Sequence, residues 1–272
     1  MTKRPTLDSL VAIALEAGDA ILGIYGRDDV TATSKTDGSP VTAADEAAEA
    51  VILAGLGRAA PGWPVVAEEE VAAGRVPPAC ETFILVDPLD GTKEFISRNG
   101  EFTVNIAIVE RGVPVCGVVY APALGLLYGG DPEGAFVATV TDGVPGPKRP
   151  IGVREPGADG LVVVASRSHM NDETRAFLER FRVASFASAG SSLKLCRVAT
   201  GEADLYPRLG RTMEWDIAAG DAVLRAAGGG VFTLDGRPLV YGKRDQADDT
   251  DFANPHFVAA GAFDPFAIRP GT

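Results

Sequence analysis

The chain has 272 residues, 46% of them hydrophobic and 23% charged, and a formal net charge of −12. That length and balance fit one large α/β domain or two lobes sharing a cleft. The acid excess argues against nucleic-acid binding, which wants a basic face, and no run approaches the roughly 18 apolar residues of a membrane span.

Leu7, Leu10, Val11, Ala14, Ile21, Leu22 and Tyr25 recur at threes and fours until Gly26, which predicts an amphipathic opening helix. A polar stretch, 31–40, precedes an alanine-rich helix over 43–58 that stops before Pro61. Strands are predicted over 64–67, 83–86, 103–109 and 113–120, with a hairpin turn at Glu110, Arg111 and Gly112. Runs 126–128 and 135–140 extend that sheet. The Gly- and Pro-rich span 141–160 is the expected lobe boundary. Beyond it come a strand at 161–165, a helix over 171–181 capped by Asn171, a helix over 191–200, a strand at 203–207 and a helix over 217–227. Strands at 231–234 and 256–260 finish the chain. Such alternation favours a layered α/β fold.

Cys80, Cys116 and Cys196 have neither zinc spacing nor a disulfide framework, and the acid-bearing N-terminal segment lacks a secretory pattern. The expected compartment is the cytoplasm, with a peripheral place on the inner face of the cell membrane as the alternative. Cys116 and Cys196 read as small buried hydrophobes.

The strongest chemical signal is the run from Phe83 to Phe95, in which an apolar strand leads to Asp87, Pro88, Leu89, Asp90, Gly91 and Thr92. Two carboxylates flanking a proline turn, with the Leu89 carbonyl between them, offer the hard oxygens that magnesium prefers. Gly91 and Thr92 then offer N–H groups to phosphate at a helix start. A plain Asp-Gly turn is the competing reading of the dipeptide alone. An acidic protein handling an anion must reverse its field locally, and divalent cations do so most directly.

Three further acids stand out. Glu68 opens the triplet Glu68, Glu69, Glu70 directly after a strand, where α/β active sites gather, although two of the three read as solvated surface. Asp216 stands where the N-cap of the helix over 217–227 is expected, and such a carboxylate either caps the helix or holds a metal at its positive end. Asp45, three residues after Thr42, has the spacing of a helix-start capping box. With only His169 and His256 and no Gly-x-Ser-x-Gly elbow, Ser-His-Asp hydrolysis has little material. Aspartyl-phosphate chemistry of the haloacid-dehalogenase type is excluded, because its nucleophilic Asp would have to stand two residues before Asp90, where Pro88 lies.

Together these pieces resemble the lithium-sensitive inositol monophosphatase superfamily. The likeness rests on the string at 87–92 and on Trp215, Asp216, Ala218, Ala219 and Gly220 with the closing Ala227-Gly228-Gly229. Glu68 and the run 41–45 fall in the expected order. Within the superfamily the chain looks most like the 3'(2'),5'-bisphosphate nucleotidases of the bacterial CysQ type. The pointers are the runs 90–95, 98–105, 165–169, 190–194 and 205–208.

The resemblance implies a sugar-phosphatase fold of alternating α-β-α-β-α layers. It implies an N-terminal lobe over 1–145 with the main metal site and a C-terminal lobe over 155–272 contributing Asp216, together forming one catalytic unit. Glu68, Asp87, Asp90, Asp216 and the Leu89 carbonyl would hold two or three magnesium ions. A metal-activated water would be the nucleophile, oriented by Thr92 paired with Asp45, with Glu68 among the catalytic residues. Phosphate would meet Glu68, Leu89, Asp90, Gly91, Thr92 and Asp216. Ser191, Lys194 and Arg208 would hold a second phosphate and the nucleoside, their ordinary readings being a helix cap, a solvated lysine and a surface arginine. Ser166 and His169 would line the same pocket. The implied substrate is adenosine 3',5'-bisphosphate, left over from sulfate assimilation, cut to AMP and phosphate. The alternatives are an inositol or sugar phosphatase of the same fold, or a non-catalytic nucleotide-binding protein. Oligomeric state is not legible.

Overall fold

The computed structural model describes residues 4–27, 32–34, 40–165 and 171–267. Helix α1 (Leu7–Tyr25) is followed by the short paired strands β1 (Ala32–Ser34) and β2 (Pro40–Thr42), then α2 (Ala43–Ala59). Strand β3 (Val65–Ala67) runs straight into α3 (Glu68–Ala72). Strand β4 (Thr82–Asp90) leads to the short helix α4 (Thr92–Ile96). An antiparallel meander follows: β5 (Thr103–Glu110), β6 (Val113–Ala121), β7 (Leu126–Asp131) and β8 (Gly134–Thr141). Arg111 and Gly112, both in the left-handed region at φ 49° and 77°, make the two-residue turn joining β5 to β6.

Strands β9 (Val144–Pro145) and β10 (Arg149–Ile151) lie inside the expected lobe boundary, and both pair with β8, lengthening the first sheet. The second sheet is built from β11 (Leu161–Val164), β12 (Val183–Ala187), β13 (Leu205–Arg208), β14 (Gly230–Thr233) and β15 (Phe257–Ala260). Between these strands lie α5 (Asp172–Leu178), α6 (Leu193–Ala199) and α7 (Glu214–Ala226). Helix α5 ends at Leu178 rather than at 181. Strand β12, which the sequence does not announce, pairs in parallel with β11.

Three apolar clusters stack these elements into layers. Leu10, Ile13, Ile21, Ile52 and Leu56 of α1 and α2 bury themselves against Ile84, Val86, Ile106 and Val118 on one face of the first sheet. The opposite face, with Leu85, Ala107 and Val119, packs on Leu195 of α6 and on Ala218 and Val223 of α7. Those helices in turn cover Val164, Tyr206, Val231 and Ala259 of the second sheet. Phe177, Leu178 and Phe181 close the outer face of that sheet. The order is helix, sheet, helix, sheet, helix, as the family resemblance implies. Among the described residues no helix is long and apolar enough to cross a membrane.

Helix α7 settles unusually close to the first sheet. Gly117 of β6 stands opposite Gly130 of β7. A Cβ on Gly117 would lie 2.7 Å from the Ala219 carbonyl oxygen, and one on Gly130 would lie 2.7 Å from the Val223 Cα. This glycine pair makes a trough that admits helix backbone, and the trough fixes where the first turn of α7 ends up.

Candidate active site

The two aspartates of the 87–92 string lie on a strand, not on a turn. Strand β4 continues through Asp90, and Asp87 faces Asn105 while Asp90 faces Thr103 on β5. Three steps on one strand thus span two on its partner, a bulge located at Pro88 and Leu89. Proline has no N–H to give the ladder, so the extra residue sits where the pairing is already interrupted. Residues three apart on a regular strand point to opposite faces; the bulge turns Asp87 and Asp90 to the same side. Asp87 is buried at 1% exposure, and its Oδ1 accepts the Leu89 N–H at 3.0 Å.

Asp216 comes to the same point from the other side. The expected N-cap position is corrected here: α7 begins at Glu214, one turn earlier, with Met213 at the cap, so Asp216 lies inside the first turn. Tertiary contacts make the earlier start possible, because the Glu214 N–H donates to the Phe252 carbonyl and the Met213 N–H to Asp216 Oδ2 at 2.9 Å. One carboxylate oxygen from each of Asp87, Asp90 and Asp216 lies within 4.8 Å of the others. At that 4.8 Å limit, each pair of charges would repel by about 3 kcal/mol at an effective dielectric constant near 20. Burial first, then the charges of Asp90 and Glu68, hold the Asp216 carboxyl well above the ordinary range. A crowded set of hard oxygen donors is what a divalent cation needs, so the residues fit such an ion. Glu68, at the start of α3, acts on Asp216 electrostatically but stands outside the 4.8 Å cluster. Leu89 is buried between the two strand aspartates.

Asp45 and Thr92 meet beside this centre. Thr42 and Asp45 form the capping box that starts α2, with Asp45 Oδ2 accepting from the Thr42 N–H at 2.8 Å and from its hydroxyl at 2.7 Å. The other oxygen, Oδ1, accepts from the Thr92 hydroxyl at 3.3 Å. Gly91, at φ 94°, makes the left-handed step that carries the chain from β4 into α4 and brings Thr92 to this place.

Ser191, Lys194 and Arg208 gather on the Asp90 side. Ser191 is not a helix cap: α6 begins at Leu193 with Ser192 at its N-cap position, and Ser191 precedes it in the left-handed region at φ 50°. Its hydroxyl donates to Asp90 Oδ2 and lies 2.6 Å from the Thr103 hydroxyl, while its carbonyl accepts from Lys194 Nζ at 3.1 Å. Lys194 is half-buried rather than fully solvated, with its ammonium 5.9 Å from the centre of the Tyr206 ring. Burial lowers its pKa, Asp90 opposes that, and Arg208 adds to it. Arg208 Nε is buried without a hydrogen-bond partner. Ser166 and His169 lie outside the described residues.

The residues that tie the two sides together stand in the runs 98–105 and 190–194, but the sequence gives them no individual role. Ser192 Oγ donates to the Asp216 carbonyl at 2.6 Å, stands 3.1 Å from Asp90 Oδ2, and accepts from Asn105 Nδ2 at 2.9 Å. Thr103 and Asn105 are two polar residues two apart in an otherwise apolar strand, and that spacing was the available signal. Glu49, one turn beyond Asp45, accepts the Glu69 N–H at 2.9 Å and so anchors the start of α3. A run of acids in an alanine-rich helix gives no hint of it.

Comparison with known proteins finds relatives along nearly the whole chain. The model described as "Inositol monophosphatase family" matches residues 3–257. Over 252 residues the chain is 46% identical to the 3'(2'),5'-bisphosphate nucleotidase CysQ of Shigella flexneri, covering 92% of this chain and 98% of that protein. The CysQ of Escherichia coli strain K12 is 45% identical with the same coverage. Among solved structures, CysQ from Bacteroides thetaiotaomicron, a bacterial member of the inositol monophosphatase family, gives a TM-score of 0.76. Its identity is 38%, with 94% of this chain and 97% of that chain covered. The Thermotoga maritima IMPase gives 0.72 at 27% identity, with 93% and 91% covered.

Proposed function

This chain belongs to the inositol monophosphatase family, and we propose that within it the protein is a magnesium-dependent bisphosphate nucleotidase. It removes the 3' phosphate of adenosine 3',5'-bisphosphate to leave AMP and phosphate. One juxtaposition carries the reading: a three-carboxylate cluster and, joined to it through Ser191, a half-buried lysine beside an arginine with an unpartnered Nε. The cluster suits the phosphate to be cut. The cation pair suits a second phosphate on the same molecule.

Asp87, Asp90 and Asp216 would hold the cations, two or three in all, with Glu68 and the Leu89 carbonyl completing the donor set. Bound magnesium lowers the pKa of water and stabilises charge that builds on phosphoryl oxygens. Thr92 Oγ1 orients the attacking water, and Asp45 Oδ1, which accepts from that hydroxyl, draws the proton away. Asp45 Oδ2, held by Thr42, fixes the carboxylate for this task. Ser191 and Ser192 hold Asp90 Oδ2 in place, so the metal side and the cation side move as one. The two halves of the chain form a single catalytic unit, since Asp216 comes from the second and the strand aspartates from the first. The reading places the enzyme in the cytoplasm, in keeping with the free, buried thiols of Cys116 and Cys196.

Purified protein assayed with magnesium on adenosine 3',5'-bisphosphate, inositol 1-phosphate and fructose 1,6-bisphosphate tests the reading. The highest kcat/KM is expected on the nucleotide. Preference for either sugar phosphate would overturn it.

A further inference from the structure

Asp87 and Asp90 are carried by a strand in the interior of a sheet, whereas Asp216 is carried by the first turn of a helix. What holds that turn is a network outside the cluster. Glu214, with no exposure at all, accepts from the Gly242 N–H at 2.6 Å, the Lys243 N–H at 2.9 Å and Lys243 Nζ at 2.7 Å. Lys243 Nζ also reaches Asn254 Oδ1 at 3.2 Å. Asn254 Nδ2 donates to the Met213 carbonyl at 2.8 Å, and the Asn254 N–H donates to the Thr212 carbonyl at 2.9 Å. Met213 is the residue whose own N–H fixes Asp216 Oδ2. The chain from 241 to 254, which contains no helix or strand, is thereby fastened to the start of α7 at both of its ends.

We propose that Glu214, Lys243 and Asn254 form a positioning device for Asp216, so that the 241–254 segment sets the affinity of the cation site Asp216 shares. A buried carboxylate with three donors converging on it is far more than a helix start requires. Ion pairing of Glu214 with Lys243 locks the axial place of the turn, and Asn254 locks the peptide that aims the ligand. None of the three is itself a ligand. Each acts through Asp216, as hydrogen-bonded partners of ligands do at metal sites generally.

The proposal rests on the metal-centre reading above, and the test separates the two. Mn2+ is titrated calorimetrically into the full, metal-stripped chain, with circular dichroism to verify the fold. Glu214→Gln and Asn254→Ala are each expected to weaken Mn2+ binding by about tenfold or more. Asp204→Asn is the control: it disturbs a buried carboxylate outside α7 and outside the 241–254 segment, one that holds Arg154 and the Val162 N–H, and is expected to lower Tm with Mn2+ affinity unchanged. Should Glu214→Gln fail to fold, Asn254→Ala decides. Wild-type affinity in the folded variants, or an equal loss in Asp204→Asn, overturns the positioning role while leaving the metal centre standing. A wild type that takes up no Mn2+, or Asp87→Asn binding as tightly as wild type, overturns the metal centre and the positioning role with it.

Discussion

Glu49→Gln probes the anchor beneath Glu68. Glu49 is 4% exposed and accepts the Glu69 N–H, one residue past Glu68. Burial, together with the charges of Glu69 and Glu70, raises its pKa from 4.5 to about 7, although backbone hydrogen bonds from Glu69 and Glu70 pull the other way. In the unfolded chain the group titrates near its ordinary value. Below 4.5 both states are protonated and the folded state keeps its full stability. Between 4.5 and about 7 the folded chain retains a proton that the unfolded chain has released, so stability falls as pH rises through that window. At 1.36 kcal/mol per pH unit, the passage from 4.5 to about 7 amounts to about 3 kcal/mol. Glutamine is neutral throughout, and its Oε1 can still accept from Glu69. Relative to wild type, Glu49→Gln should therefore gain about 3 kcal/mol of stability between pH 4.5 and pH 8. Urea unfolding followed by circular dichroism across that range, with chelator present, measures the difference. Asp216 and Asp221 titrate in both proteins and cancel. A pH-independent difference, or one of the opposite slope, would refute the reasoning.

Asp87→Asn removes a buried charge from the proposed cation site. Its activity should fall by more than the 10- to 100-fold that outer hydrogen-bond partners of metal ligands typically command, and full retention in a steady-state assay would show that the metal assignment is wrong. Thr92→Ala takes away the hydroxyl that Asp45 accepts. A drop in kcat of about 10²- to 10⁴-fold with KM little changed is expected, and a loss confined to KM would move Thr92 from water activation to substrate binding. Gly117→Ala puts a methyl group 2.7 Å from the Ala219 carbonyl oxygen. A thermal melt should then show a loss of about 1–3 kcal/mol, and an unchanged Tm would mean that α7 does not lie as close to the sheet as described.

What could be read in the sequence was whatever its local chemistry spelled out. The string from Asp87 to Thr92 is contiguous, so its acids, proline and glycine announced themselves, although the bulge that turns the two acids to one side is a property of pairing with β5. The Asp45 capping box was legible for the same reason, while its contact with Thr92 crosses 47 positions of sequence. Strand β12 was missed because its central residues Ala184, Ser185 and Phe186 are exposed and show no inward-facing alternation. The start of α7 was misplaced because Met213 and Glu214 look like poor openers until Phe252 and Asn254 supply their partners. Glu214 and Lys243 lie 29 positions apart and local sequence gives neither a role; only the fold pairs the fully buried Glu214 with the half-buried Lys243.

These differences bear on how the centre is put together. Asp87 and Asp90 are fixed by the ladder to β5, and Asn105 and Thr103 of that same strand extend to Ser192 and Ser191. Asp216 depends instead on three separate supports: the Gly117 and Gly130 trough, the Ser192 bond to its carbonyl, and the clamp of Glu214 with Asn254. With one group of ligands rigid and the other docked, a cation that needs both is bound only by chains in which α7 is seated. Cation binding and the seating of α7 are therefore linked: the ion stabilises the seated helix, and a substitution that leaves part of the chains unseated lowers the apparent cation affinity in proportion to the fraction still seated.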